Sequence, residues 1–359
     1  MQSANSIILA SAGSGKTTSL VKEAHADNAR RNALITYTLN GRSELAGKAY
    51  EMFGAIPPHF SIGTWYSFVF AHFVRPYQNH LYAPRVKHIV FDRVPDNLRK
   101  IPKTTTAKFY FTRNAGIWRD RVTDFACQII EKTKGLPISR IEGIFQRIYI
   151  DEAQDLSGWD LELVEHLLRS KVKISLIGDH RQATYSTNDN PKNKPYSGKN
   201  IIKKFEGWNA AGLVKLDHHA YSHRCNQLIC DFADAIFPDC HKTKSFQETT
   251  TKHDGLFFVR QSDIAAYMEA FSPQPLRYNR ARTVQFGNPF NFGESKGLTF
   301  DRTLIYPHAP LQKYLDTGKL SDAGKELAKI YVAVTRAKYS VGFVVPDKFK
   351  SAQLPYYQT

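Results

Sequence analysis

The stretch ASAGSGKTT restricts the fold of this chain more than any other part of its sequence. It follows a short apolar run, SIILA, and a helical pattern begins at about Lys16, so the order is strand, loop and helix. The usual phosphate loop has the pattern G-x-x-x-x-G-K-[ST]. Gly15, Lys16 and Thr17 fit this pattern, and Ala10 occupies the first glycine position. The alternative is a chance turn, rich in Gly and Ser, before a helix.

A phosphate loop holds its anion through backbone N–H groups that glycines allow to turn inward, and the following helix presents its positive N-terminus to the same anion. The sequence therefore predicts that Lys16 reaches the β- and γ-phosphates of ATP and that Thr17 holds Mg²⁺. The predicted nucleotide-binding segment consists of Ala10, Ser11, Ala12, Gly13, Ser14, Gly15, Lys16, Thr17 and Thr18.

A second stretch, RIYIDEAQDL, places acidic side chains directly after an apolar run. In ATPases that transfer a phosphoryl group, an acidic residue at a strand end holds the Mg²⁺. Asp151 fits that role, and we predict that Glu152 polarises the attacking water. The alternative is a polar strand end whose acids begin a helix, and for Asp155 this interpretation favours a helix N-cap.

Short apolar runs alternate with helical stretches along the chain, which is typical of a doubly wound parallel sheet. The runs SIILA, ALITYT, FSIGTW, RIYI and KISLIG form a first set, and GLVKLD, GLFFVR, RTLIYP and YSVGFVVP form a second. A boundary near Gly212 separates the two sets. Residues 71–140 are rich in Lys, Arg and aromatic residues, and we predict that they form an inserted, largely helical subdomain.

The chain has 359 residues and a formal net charge of +16, from 49 Lys and Arg against 33 Asp and Glu. This excess suggests a polyanionic partner, and a soluble protein that is merely basic is the alternative. The sequence has no apolar run of about 18 residues, and its N-terminus lacks the basic start of a signal peptide. We therefore expect a cytoplasmic protein with no membrane partner.

Four cysteines occur and none forms a C-x-x-C pair, so reduced thiols are expected. A metal site is the alternative, because one span is crowded with potential ligands. These are His218, His219, His223, Cys225, Cys230, Cys240 and His241. Their spacing fits no zinc pattern.

Six further stretches occur along the chain. Together with ASAGSGKTT and RIYIDEAQDL, and in the same order, they resemble the motifs of the superfamily 1 helicases of the UvrD, Rep and PcrA type. They are ITYTLNGRSEL (35–45), GTWYSF (63–68), LIGDHRQATY (176–185), YSHRCNQLI (221–229), ESKGLTFD (294–301) and YVAVTRAK (331–338). The resemblance spans nearly the whole chain. Only about seventy residues separate Arg224 from Glu294, where larger relatives insert an accessory subdomain, so the chain resembles a compact form of the family.

The resemblance implies an α/β fold with two RecA-like parallel-sheet P-loop NTPase domains. The first would cover residues 1–211, with the helical insertion at about 71–140, and the second would cover residues 212–359, with a short insertion at about 240–285. The implied enzyme hydrolyses ATP with Mg²⁺ at the cleft between these domains. Its implied function is that of a translocase or helicase moving 3′ to 5′ on single-stranded DNA, or on DNA with a single-stranded tail.

Two alternatives stay open at this point. Short relatives of the family work beside a nuclease in bacterial anti-phage systems of the Gabija type, so one alternative is a DNA-sensing ATPase subunit with a nuclease partner. The other is a P-loop kinase of small molecules, which would turn over ATP at a rate indifferent to nucleic acid.

The resemblance also implies roles for individual residues. Gln182 would sense the γ-phosphate, and Arg224 and Arg336 would stabilise charge on the transferring phosphoryl group. His223 would stack on the adenine, and Gly297 would allow close backbone approach. The candidate nucleic-acid contacts are Tyr37, Thr38, Asn40, Thr64, Trp65, Tyr185 and Ser295. The aromatic members would stack on bases, and core packing is the alternative for each ring.

Overall fold

A computed structural model describes residues 5–28, 30–184 and 191–358. Within these residues the chain divides into two compact units. The first unit takes in residues 5–8, 16–180 and 191–217, and the second takes in residues 9–15, 181–184 and 218–358. The predicted contacts of Tyr185 lie outside the described residues.

The chain up to His219 contains eight strands and nine α-helices among its described residues. The strands are β1 (Ser6–Ala10), β2 (Arg31–Thr36), β3 (Phe60–Thr64), β4 (His88–Val90), β5 (Gly116–Trp118), β6 (Phe145–Ile150), β7 (Lys173–Gly178) and β8 (Lys215–His219). The helices are α1 (Lys16–Ala26), α2 (Leu39–Phe53), α3 (Trp65–Val69), α4 (Asp96–Arg99), α5 (Thr106–Tyr110), α6 (Arg119–Lys132), α7 (Leu136–Ile144), α8 (Trp159–Leu168) and α9 (Ile201–Ala210).

Six of these strands form one sheet in the order β3-β2-β6-β7-β1-β8. The pairs of β2 with β3, β2 with β6 and β6 with β7 are parallel, and Ile35 lies opposite Ile150. Leu20 and Ala24 on α1 and Leu45 and Ala49 on α2 are spaced by four residues and pack with the strand residue Leu34 in one apolar cluster. The parallel sheet and its covering helices confirm the predicted α/β fold class.

One strand belongs to a different sheet from the one predicted. The sequence pattern places GLVKLD in the second strand set, but its strand is β8, which lies beside β1 at the edge of the six-stranded sheet. The apolar residues Leu213 and Val214 precede the strand, and the strand itself reads KLDHH. An edge strand tolerates such polar residues because one of its sides has no neighbouring strand.

Residues 71–140 contain α4, α5, α6 and the beginning of α7, together with the short parallel pair of β4 and β5. Helix α6 is the most buried of these helices, and its apolar side chains Val122, Phe125, Ala126 and Ile129 are inaccessible to solvent. Their spacing of three and four residues gives the helix one apolar face.

The second unit has its own parallel sheet, in the order β11-β15-β14-β12-β13, and a short parallel pair of β9 and β10. The strands are β9 (Tyr221–Ser222), β10 (Lys244–Ser245), β11 (Gly255–Arg260), β12 (Gln274–Arg277), β13 (Phe290–Asn291), β14 (Phe300–Tyr306) and β15 (Ala337–Val345). The helices are α10 (Gln227–Ala235), α11 (Ile264–Phe271), α12 (Ala309–Thr317) and α13 (Leu327–Val334).

The segment predicted as a short insertion, at about 240–285, supplies β11 and β12 to this sheet. These residues are therefore part of the sheet rather than an addition to it. Among the described residues, no helix combines the length and the apolar character that crossing a lipid bilayer requires.

Candidate nucleotide site and nucleic-acid surface

The predicted phosphate loop lies between the end of β1 and the beginning of α1. Gly13 and Gly15 have φ angles of 75° and 78°, which favour glycine. A Cβ atom added at Gly15 would meet no atom within 4 Å, whereas one at Gly13 would lie 2.5 Å from the Cβ of Arg224. The backbone N–H of Ser14 donates to the carbonyl of Ser11 at 3.2 Å, which closes the loop. The loop is thus packed at Gly13 and open at Gly15.

The first unit brings together the hydroxyl predicted to hold Mg²⁺ and the acid predicted to hold the same ion. Thr17 Oγ1 donates to Asp151 Oδ2 at 3.2 Å. Asp151 directly follows β6, and its backbone N–H donates to the carbonyl of Ile35 in β2 at 2.8 Å. The neighbouring strand therefore fixes the end of β6 and the acid that follows it.

Asp151 is an unusual carboxyl group, because its side chain is almost completely buried. Burial and, to a smaller extent, the neighbouring Glu152 carboxylate raise the pKa of Asp151 to about 7, against the opposing effect of the Lys16 ammonium group. The folded protein therefore stabilises the charged form of Asp151 less well than water does. A bound cation would supply the missing compensation.

Residues that could hold Mg²⁺ are Thr17 and Asp151, since this ion prefers oxygen ligands. Mg²⁺ is usually held by one or two carboxylates together with substrate phosphates and water, so a small protein ligand set suits it. The described residues contain no group of three or more His, Cys, Asp or Glu side chains placed to hold a metal ion. The His and Cys side chains near Cys225 are thus not grouped in this way within the described part of the chain.

Glu152 is held in a left-handed backbone conformation, with a φ angle of 56°. Such a conformation costs about 1–3 kcal/mol for a non-glycine residue and is concentrated at functional sites. Gln154 Nε2 donates to the Glu152 carboxylate, and Gln154 Oε1 accepts the backbone N–H of Asp179 at 3.0 Å. Gln154 therefore joins the turn after β6 to the end of β7.

The close approach of Gln154 explains the glycine at the end of β7. A Cβ atom on Gly178 would overlap Gln154 Oε1. The same turn corrects a prediction, because Asp155 is not the N-cap of the following helix. It lies in a turn of 3₁₀-helix over Ala153–Asp155, and α8 begins four residues later, after Gly158.

In the second unit, Gln182 and Arg336 are direct neighbours. Arg336 Nη2 donates to Gln182 Oε1 at 3.3 Å, and both side chains are buried. The other donors of this guanidinium reach the carbonyls of Val332 and Leu298, at 3.0 and 3.3 Å. Arg224 is half-buried and donates to the carbonyl of Thr335 at 3.2 Å. The roles of these residues toward a phosphoryl group stay predictions.

His223 is exposed, and its backbone N–H donates to the carbonyl of Gly13 at 2.8 Å. Its ring stacks on Phe246, with 5.5 Å between the ring centroids and 29° between the planes. Phe246 is 45% exposed, so it adds apolar surface beside the residue predicted to stack on adenine. Sequence reasoning missed Phe246 because it lies outside every motif.

A buried polar network around Arg181 was also missed. Its guanidinium donates to Asp234 Oδ1 at 3.0 Å and to Ser11 Oγ at 2.7 Å, and it lies over the ring of Tyr331. Thr243 Oγ1 donates to the same carboxylate at 2.9 Å. All five side chains are buried. Within the second unit, Arg181 thus ties the beginning of the phosphate loop to α10.

The candidate nucleic-acid contacts separate into exposed and buried groups. Thr38 is exposed and caps α2 by accepting the N–H of Gly41 at 3.0 Å, and Asn40 is exposed beside it. Thr64 forms a capping box with Ser67 at the start of α3. Thr38 and Asn40 follow the carboxyl end of β2, and Thr64 is the last residue of β3.

Two of the predicted contacts are wrong for this structure. Trp65 is inaccessible to solvent and donates through Nε1 to Asp160 Oδ1 at 2.8 Å, so its ring is not a stacking surface. Ser295 is also inaccessible, and its hydroxyl donates to the carbonyl of Phe292 at 2.7 Å rather than facing a phosphate. Tyr37 is half-buried, and Gly297 lies in the turn before β14.

The parallel sheets, the loop between β1 and α1 and the acidic pair after β6 define a fold of the P-loop NTPase class. The family model of the UvrD/REP helicase N-terminal domain matches residues 120–189 of the chain. This match confirms the resemblance to the UvrD-like helicases of superfamily 1. A comparison with curated proteins gives no match.

The fold is similar to the crystal structure of Arterivirus nonstructural protein 10 (helicase). The TM-score is 0.50 and the sequence identity is 13%, over 96% of this chain and 61% of the arterivirus chain. A structure of the same arterivirus protein with DNA gives a TM-score of 0.47 and 16% identity, over 96% of this chain and 62% of that chain. This chain therefore spans about three fifths of the length of the arterivirus protein.

Proposed function

We propose that this chain is an ATP-dependent translocase or helicase of single-stranded DNA, which hydrolyses ATP with Mg²⁺ at a cleft between two RecA-like domains. The observation that carries the proposal is the hydrogen bond from Thr17 to Asp151. It joins the loop predicted to hold phosphates to the acid predicted to hold the metal. The UvrD/REP family match supports the same assignment.

The first-domain chemistry follows from the residues around this contact. Lys16 and the N–H groups at the beginning of α1 would bind the β- and γ-phosphates. Thr17 and Asp151 would hold Mg²⁺, which neutralises charge on the phosphate oxygens. Glu152 would orient the attacking water and accept its proton, with Gln154 fixing the carboxylate through its amide.

The second-domain chemistry would come from arginines. A guanidinium is always charged and presents a rigid fork of donors that suits phosphate oxygens. We assign this role to Arg224 and Arg336, and Gln182, which accepts a hydrogen bond from Arg336, would respond to the γ-phosphate. His223 would stack on the adenine, with the exposed ring of Phe246 beside it.

The charge distribution supports a nucleic-acid partner. Residues 71–140 carry 14 Lys and Arg against 5 Asp and Glu, so about one fifth of the chain contributes more than half of the net charge of +16. Basic side chains bind nucleic acid by displacing the cations condensed on its phosphates. The exposed side chains of Thr38 and Asn40 and the half-buried side chain of Thr64 would add contacts to the backbone of the strand.

The rate of ATP hydrolysis with and without single-stranded DNA tests this function. We expect a DNA-stimulated rate that Lys16→Ala abolishes. Lys22→Ala is the matched control, because Lys22 is exposed on the same helix and its substitution removes an equal charge. A rate that is indifferent to DNA would instead indicate a P-loop kinase of small molecules.

Strand displacement then separates a motor from a sensor. Duplexes with a 3′ tail, a 5′ tail or no tail would be offered to the isolated protein with ATP and Mg²⁺. Displacement that starts from the 3′ tail supports 3′-to-5′ travel. Stimulated hydrolysis without displacement of any substrate would favour the alternative, a DNA-sensing ATPase that works with a nuclease.

A further inference from the structure

Asp160, in the first turn of α8, is a carboxyl group that is inaccessible to solvent. Its Oδ2 accepts the hydroxyl hydrogen of Tyr37 at 2.5 Å. Its Oδ1 accepts from Trp65 Nε1 at 2.8 Å and from Thr123 Oγ1 at 2.6 Å. The three donors lie far from Asp160 along the chain, in the segment after β2, at the beginning of α3 and in α6.

Burying a carboxylate is costly unless hydrogen bonds satisfy it. The apolar core around α8, with Leu161, Leu163 and Val164 next along the helix, would pack an apolar side chain here at lower cost. The hydrogen bonds of Asp160 instead fix specific partners in specific orientations, because a hydrogen bond has both a length and an angle. Asp160 therefore sets how three segments of the first unit lie against α8.

These segments connect the two kinds of candidate site. Tyr37 directly precedes the exposed candidates Thr38 and Asn40, and Trp65 directly follows Thr64. Helix α8 begins a few residues after the turn that carries Asp151, and the backbone of Asp151 is bonded to the end of β2. Hydrogen bonds to Asp160 thus link the segments that carry Thr38 and Thr64 to the helix that follows the acidic turn.

We propose that Asp160 is a positioning residue that couples nucleic-acid binding to ATP turnover. The proposal rests on the proposed function, because it needs a DNA-stimulated ATPase. Asp160 contacts neither nucleotide nor nucleic acid in this role. It holds Tyr37 and Trp65 so that contacts at Thr38 and Thr64 act on α8 instead of moving the loops alone.

Asp160→Asn tests the proposal, because asparagine keeps the size of the side chain but removes the charge and one acceptor. We expect the concentration of a thymidine oligonucleotide that gives half-maximal ATPase stimulation to rise about tenfold, which is the size of one lost hydrogen bond to a charged group. The rate without DNA should match that of the unmodified protein.

Thr123→Val is the matched control, since it removes one hydrogen bond to the same carboxylate from α6, which carries neither Thr38 nor Thr64. We expect it to lower the Tm with an unchanged half-stimulating concentration. A merely structural role for Asp160 predicts that both variants lower the Tm and that neither shifts the half-stimulating concentration. That result would overturn the proposal.

Two further outcomes are distinguishable. If DNA does not stimulate the unmodified protein, the proposed function fails and the coupling role fails with it. If DNA stimulates the unmodified protein and Asp160→Asn responds identically, only the coupling role fails.

Should Asp160→Asn show no cooperative thermal transition, Trp65→Phe replaces it. This variant removes one donor to Asp160, and an unshifted half-stimulating concentration would again overturn the proposal.

Discussion

Replacing Asp151 by Asn should stabilise the free protein at pH 8 while abolishing turnover. Asp151 is buried and lies beside a second carboxylate, and burial raises its pKa from 3.8 to about 7. Asparagine has nearly the same shape, so it can still accept from the N–H of Glu152 and can donate to the hydroxyl of Thr17. The substitution therefore removes the unfavourable charge and keeps both contacts.

The sign of the effect follows from proton linkage. Between pH 3.8 and about 7 the folded protein binds the Asp151 proton more tightly than the unfolded chain does, so stability from this group falls as the pH rises through that window. At 1.36 kcal/mol for each pH unit, the loss reaches about 4 kcal/mol at pH 8 and stays below about 2 kcal/mol at pH 5. The Asp151→Asn variant carries no such charge. Its free energy of unfolding should therefore exceed that of the unmodified protein by a margin that grows between pH 5 and pH 8 as this loss grows.

Urea unfolding at pH 5 and at pH 8, in the presence of a chelator, measures this advantage. Glu165→Gln is the control with the opposite sign. Partial burial of Glu165 raises its pKa, but hydrogen bonds from Trp208, Lys204 and Arg169 outweigh this effect and lower the pKa to about 2. The charged Glu165 carboxylate therefore stabilises the fold in full above pH 4.5. That variant should lose stability at pH 8. A stability gap between Asp151→Asn and the unmodified protein that does not grow with pH would refute the reasoning.

Three other predictions concern the nucleotide and the nucleic acid. Glu152→Gln should bind a fluorescent ATP analogue normally and lose turnover, and undiminished hydrolysis would remove Glu152 from its proposed role. Gly13→Ala and Gly15→Ala share a backbone strain of about 1–2 kcal/mol. Only Gly13→Ala adds a clash of about 1–3 kcal/mol, so the Tm of that variant should be the lower of the two. Equal Tm values would contradict the described packing. Affinity for a thymidine oligonucleotide, followed by fluorescence anisotropy, should fall at least tenfold between about 50 and 200 mM salt if several phosphates are neutralised, and a flat response would argue against the basic segment as a contact.

Strands buried in the sheet were the most predictable part of the fold. The run KISLIG coincides with β7, from Lys173 to Gly178, because a central parallel strand is covered on both faces and needs a continuous apolar run. The sheet to which the edge strand β8 belongs is harder to predict, because the residues of β8 are polar and the apolar residues before it lie in a turn. A local pattern indicates a strand, but it does not indicate which sheet that strand joins.

The candidate site shows the same limit. The residue patterns of the two motifs predict a shared role for Thr17 and Asp151, and the strand order brings their side chains into contact. Nothing in the sequence near Asp160 indicates that it is buried, because an acid in the first turn of a helix usually faces solvent near the helix N-terminus. Its partners Tyr37 and Trp65 lie 123 and 95 positions away. Tertiary packing alone turns these residues from surface candidates into an internal network.

The buried pair of Arg181 and Asp234 has a consequence for the evolution of the chain. Removing either partner alone leaves an uncompensated charge in the interior, at a cost of about 3–5 kcal/mol, whereas replacing both by apolar residues is close to neutral. Natural variation at one position should therefore be accompanied by variation at the other. Aligned relatives would then carry a basic and an acidic residue together at these two positions, or neither.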